Sequence, residues 1–115
     1  MKNYKEDRPW GSFENLLEEN YCKVKKIIIN PNQRPSYQYH FKRSEHWVIV
    51  SGVAKVTIDD VESTKTAGEY VYIPEKASHR IENISSDLPL IFIEVQCGIY
   101  FGEDDIVRIS DDYKR

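Results

Sequence analysis

Apolar and polar residues alternate along most of this chain, in runs too short for helices. Ala54, Val56 and Ile58 alternate with Lys55, Thr57 and Asp59, the period-two pattern of a strand with one face in the core and one in water. Similar runs rich in β-branched and aromatic residues recur, each bounded by turn formers. "YCKVKKIIIN" ends at Pro31-Asn32, "EHWVIVSG" at Gly52 and "AKVTIDD" at Asp59-Asp60; "EYVYIP", "SHRIENI" and "LPLIFIEVQCGIYFG" follow. Short strands at this spacing predict an all-β antiparallel sandwich, jelly roll or small barrel. Only "SFENLLEEN" has helical spacing, with Phe13, Leu16 and Leu17 at i, i+3 and i+4, and it is too short to organise a domain.

A chain of 115 residues suits one hydrophobic core, so the expected unit is a single domain over residues 1–115. A net charge of −3 gives no electrostatic case for nucleic acid. Lys23, Lys25 and Lys26, and the pair Lys42-Arg43, read as local solvated faces. No apolar run approaches the ~20 residues that span a bilayer, and "MKNYKEDRPW" lacks the apolar core of a signal peptide. The expectation is a cytoplasmic protein with neither nucleic acid nor membrane as partner. In that compartment Cys22 and Cys97 are expected to be reduced and packed in the core.

The candidate chemistry lies in "SYQYHFKRSEHWVIVSG", residues 36–52. Residues two apart on a strand share a face, so Ser36, Gln38 and His40 point one way. Glu45 shares a face with Trp47 and Ile49, while His46 points to the other side. His79 opens a strand after the turn marked by Pro74. Two imidazoles, a carboxylate and an amide carbonyl can thus converge from three strands as metal ligands. A lone strand histidine or glutamine is more often simply hydrogen-bonded; the two segments together carry the reading.

Those two segments resemble the paired motifs of the cupin superfamily. The first reads Asn32, five residues, Gln38-Tyr39-His40, four residues, Glu45, six residues and Gly52. The second reads Gly68, five residues, Pro74-Glu75-Lys76, two residues, His79, three residues and Asn83. Asn32 and Lys76 stand where the family has glycine, and Gln38 stands where it has its first histidine. Asn tolerates left-handed backbone, whereas Lys76 points to a different turn type. The S-x-Q-x-H string Ser36, Gln38, His40 resembles the metal-binding strand of type II mannose-6-phosphate isomerases. "RPWGSFE", "VKKIIINP", "SEHWVIVSGVAKVTI", "YIPEKASHRIEN" and the C-terminal "IEVQCGIYFGEDDIVRISDDYKR" are similar to that branch, in order, from about residue 8 onward.

The resemblance implies a cupin double-stranded β-helix, a jelly-roll barrel. It also implies one divalent metal on Gln38, His40, Glu45 and His79, with zinc first and cobalt, manganese or magnesium behind. The implied reaction interconverts mannose 6-phosphate and fructose 6-phosphate through a cis-enediolate, whose developing charge a bound cation stabilises. The neutral Gln38 oxygen leaves Glu45 as the one anionic ligand, keeping the ion electrophilic.

Glu94, in apolar "LIFIEVQCG" with Phe92 and Gln96 on its face, is the candidate general base; its alternative is a sheet-rim charge or a lysine partner. Arg108 resembles the arginine placed near substrate in these isomerases, and Arg43 and Ser36 are further candidates for phosphate contact. Tyr37 and Tyr39 alternate away from the ligands and are expected to pack. The expected partners are a small sugar phosphate and a second copy in a homodimer. The rival readings are a cupin dioxygenase, a sugar-nucleotide isomerase or epimerase, and a non-catalytic sugar-binding or accessory cupin.

Overall fold

A computed structural model describes residues 4–102 and 104–113 of the chain. Its elements among these residues are all strands: β1 (Tyr4–Arg8), β2 (Gly11–Glu18), β3 (Cys22–Ile29), β4 (Tyr37–Tyr39), β5 (Arg43–Ser51), β6 (Val53–Ile58), β7 (Val61–Thr66), β8 (Tyr70–Ile73), β9 (His79–Asn83), β10 (Leu90–Gly98) and β11 (Val107–Ser110). They form two antiparallel sheets, one in the order β1-β2-β3-β10-β5-β8 and the other β11-β4-β9-β6-β7. Among the described residues no helix is long and apolar enough to cross a membrane.

The period-two alternation survives in the burial of each central strand. Arg43, Glu45, Trp47 and Ile49 of β5 face inward, as do Leu90, Phe92, Glu94 and Gln96 of β10. His79, Ile81 and Asn83 of β9 face them from the other sheet. The Trp47 indole meets the His79 ring edge-on at 5.7 Å and Phe92 at 5.3 Å, joining the two sheets. Phe92, Ile29, Ile49, Ile73 and Leu90 are fully buried, each contributing roughly 1.5–3 kcal/mol of apolar transfer. One end of the interior is therefore apolar, and the other carries the polar groups described below.

The segment with helical spacing is strand β2 instead. Phe13 packs inward, but the pairing of β2 with β3 shifts register between Asn15 and Leu17. An extra residue at such a bulge breaks strict alternation, so the sequence loses its strand signature there. Two sheet neighbours then outweigh a weak local preference.

The motif turns keep their backbone whatever residue fills them. Gly52 and Gly68 have φ of 97° and 87°, and Asn32 and Lys76 have 61° and 70°. Lys76 thus adopts the glycine-like conformation rather than a different turn, and its amide donates to the His40 carbonyl at 2.6 Å. Asn83 acts as a buried clamp: its Nδ2 donates to the Ile29 and Leu88 carbonyls at 2.9 and 2.8 Å. Cys22 and Cys97 are free, sit opposite each other on β3 and β10, and are half-buried rather than in the core.

Candidate functional site

His40 leaves the end of β4, Glu45 rises from β5 and His79 opens β9. Their ligand atoms all lie within 4.8 Å of one another, and all three side chains are buried. His40 Nδ1 is 3.5 Å from Glu45 Oε2, and His79 Nε2 is 3.8 Å from Glu45 Oε1. The two imidazole rings stack with centroids 5.3 Å apart. His79 Nδ1 is hydrogen-bonded to the Ala77 carbonyl at 3.0 Å, so this nitrogen carries the proton and Nε2 the lone pair. That Nε2 is buried and has no hydrogen-bond partner among the described residues. Burial drives the His40 pKa down to about 3, helped by the charges of Arg43 and His79, and burial likewise lowers that of His79. Two neutral imidazoles around one carboxylate are a donor set suited to a divalent cation. The residues present fit such an ion.

Gln38 pairs in register with His79 on one side and with Arg108 of β11 on the other. Its Oε1 accepts from the Ser36 hydroxyl at 3.1 Å. Arg43 is buried, not on a solvated face. It donates from Nε to Glu45 Oε2 at 3.0 Å and from Nη2 to His40 Nε2 at 2.9 Å. Ser36, Gln38, Arg43 and Arg108 all line one cavity of about 90 Å³ beside the cluster. Arg108 sits at its exposed rim.

Glu94 is buried on β10, with Trp47 and Lys25 as its register neighbours. Its Oε2 accepts from Gln96 Nε2 at 2.8 Å, and its Oε1 from Trp47 Nε1 at 3.1 Å. The same indole N–H also reaches Glu45 Oε1 at 3.1 Å, so Trp47 ties Glu94 to the cluster. Burial, then the charge of Glu45, push the Glu94 pKa up to about 7, with Lys25 and Arg43 opposing. A carboxyl poised near neutrality both takes and gives a proton. His46 lies on the outer face against Tyr70 and Tyr72, away from the cluster.

Residues 2–111 match the family model described as mannose-6-phosphate isomerase C-terminal. The chain belongs to this family. Mannose-1-phosphate guanylyltransferase 2 of Escherichia coli O157:H7 is 47% identical over 107 residues, 93% of this chain and 22% of that protein. The chain thus spans about a fifth of the length of the curated relatives it matches. Among solved structures, a Bacillus subtilis oxalate decarboxylase variant superposes over 93% of this chain and 30% of its own, with a TM-score of 0.82 at 17% identity. A Klebsiella pneumoniae protein with a double-stranded β-helix domain covers 83% of this chain and 80% of its own, at TM-score 0.73 and 21% identity. The architecture of this family member is accordingly the cupin double-stranded β-helix.

Two cavity residues of this mannose-6-phosphate isomerase family domain escaped the sequence reading. Arg8, at the end of β1, and Lys25, on β3, both line the cavity. Lys25 is buried with its ammonium 4.4 Å from the centre of the Phe13 ring. A signal for Lys25 existed: it shares strand parity with Ile27 and Ile29, which are buried. Arg8 sits on a largely exposed strand, where no alternation marks it.

Proposed function

We propose that this domain is a metal-dependent aldose-ketose isomerase interconverting mannose 6-phosphate and fructose 6-phosphate. The observation that carries the reading is the adjacency of the buried His40, Glu45 and His79 cluster to a cavity lined by Arg8, Lys25, Arg43 and Arg108. A phosphate monoester suits a cavity of guanidinium and ammonium groups. The family match supports the sugar.

His40, Glu45 and His79 would hold the ion, with the side-chain oxygen of Gln38 as a fourth ligand through the lone pair that Ser36 does not use. Zinc is the first expectation, with cobalt, manganese and magnesium next. When bound, the ion supplies Lewis-acid stabilisation of charge on the sugar oxygens. Glu94 moves the proton between C2 and C1, its basicity set by burial and by the Trp47 and Gln96 hydrogen bonds. Arg108, Arg43 and Ser36 orient the phosphate end at the cavity wall.

The exposed apolar stripe of Val48, Val50, Tyr70 and Tyr72 on β5 and β8 supports self-association as a homodimer. Sedimentation at twice the 13.5 kDa chain mass is expected; a clean monomer contradicts it. The cytoplasm is the expected compartment.

The relatives' names favour a second reading, an accessory cupin beside a guanylyltransferase. A coupled assay for fructose 6-phosphate formed from mannose 6-phosphate, on metal-loaded and chelator-stripped protein, separates the two. Metal-dependent turnover supports the isomerase. No turnover on fully loaded protein favours the accessory role.

A further inference from the structure

Arg43 faces two ways. Its Nε and Nη2 hold Glu45 Oε2 and His40 Nε2, on two of the residues a divalent ion would use. Its Nη1 is buried without a hydrogen-bond partner among the described residues, and the side chain, 6% exposed, lines the cavity. A buried guanidinium N–H left without an acceptor has lost its hydration uncompensated. The same cavity gathers Arg8, Lys25 and Arg108, and no carboxylate among the described residues lines it. Arg8 has a counter-charge in Glu6 at 2.6 Å.

We propose that Arg43 couples the two sites, so that a tetrahedral dianion in the cavity tightens the cluster's hold on a divalent metal. The inference rests on the metal reading of His40, Glu45 and His79. Without an anion, the guanidinium stays on His40 and Glu45, where its charge opposes a second cation and its N–H groups occupy their lone pairs. A dianion in the cavity offers Arg43 a forked acceptor and draws it from those atoms. The donors are then free for the metal. Linkage is reciprocal, so the metal tightens anion binding by the same factor. The chemistry recognised is that of a phosphate monoester or any ion of its shape and charge.

The test uses chelator-stripped protein titrated with cobalt(II), followed by visible absorption and by tryptophan fluorescence, with and without sulfate at matched ionic strength. Sulfate should raise wild-type cobalt affinity about tenfold, within the usual range of coupled sites. Arg43→Met should bind cobalt more tightly than wild type without sulfate and show no sulfate effect. Arg8→Gln keeps Arg43 and the ligands, and should show a reduced sulfate effect; it decides the matter if Arg43→Met does not fold. Cobalt affinity indifferent to sulfate in the wild type overturns the coupling. So does an equal sulfate effect in Arg43→Met, which would place the anion on the metal itself. Protein that binds no cobalt under either condition instead overturns the metal reading.

Discussion

His79 Nε2 faces Glu45 Oε1 across 3.8 Å of buried interior, and the histidine atom has no hydrogen-bond partner among the described residues. An unpartnered buried acceptor costs about 1–3 kcal/mol, a cost that a bound cation removes. His40→Ala and His79→Ala should each lose most bound divalent metal after dialysis, while His46→Ala retains it. Elemental analysis checks this, and comparable loss from His46→Ala would contradict the cluster.

Lys76 holds a left-handed backbone with φ of 70°, which costs a non-glycine residue roughly 1–2 kcal/mol. Glycine removes that strain but adds unfolded-state entropy of about 0.5–1 kcal/mol. Lys76→Gly should therefore stabilise the protein by about 0.5–1 kcal/mol, since the amide bond to His40 is kept. Thermal melting should show a higher midpoint; a lower one contradicts the strain.

The Glu94 carboxyl, raised from 4.5 to about 7 by burial and by Glu45, binds its proton more tightly folded than unfolded. Its contribution to stability is full below pH 4.5 and lost as the pH rises toward 7. In chelator-stripped protein, Glu94→Gln should gain stability relative to wild type across that window, by on the order of 3 kcal/mol. Denaturant melts of both proteins at several pH values measure it. A pH-independent difference contradicts the shift.

Strands β3, β5, β6, β8, β9 and β10 were legible in the sequence by their one wet and one dry face, and β4 by the spacing of Ser36, Gln38 and His40. Strands β1, β7 and β11 are mostly exposed, so no alternation marks them, and only sheet neighbours make them strands. The motif spacing brought out His40, Glu45 and His79 because strand parity and turn length fix where their side chains meet. Arg43 and Lys25 read as solvated because charge alone suggests water. Their burial depends on what each side chain meets once folded: Arg43 bonds the buried His40 and Glu45, close to it in sequence, and Lys25 lies over the Phe13 ring of the neighbouring strand.

Arg108, opposite Gln38 on β11 and at the cavity rim, should anchor the phosphate through its planar fork. Arg108→Lys keeps the charge but not the fork. It should raise KM for mannose 6-phosphate roughly 10–100-fold, the weight of a charged hydrogen bond, with metal content unchanged. Steady-state kinetics with metal analysis check it; an unchanged KM removes Arg108 from the phosphate site.

Glu94→Gln preserves size and hydrogen bonding to Trp47 while removing basicity. It should keep bound metal and lose turnover by roughly 10²–10⁴-fold, the usual weight of one general acid or base. Undiminished turnover would assign the proton to another group.

The isomerase reading requires a carbon-bound proton to be removed and replaced. Metal-loaded protein incubated with mannose 6-phosphate in deuterium oxide and followed by NMR tests this most directly. Wild type should give fructose 6-phosphate and deuterium at the sugar C1 and C2 positions, both strongly reduced in Glu94→Gln. Neither product nor deuterium from fully metal-loaded wild-type protein would contradict it.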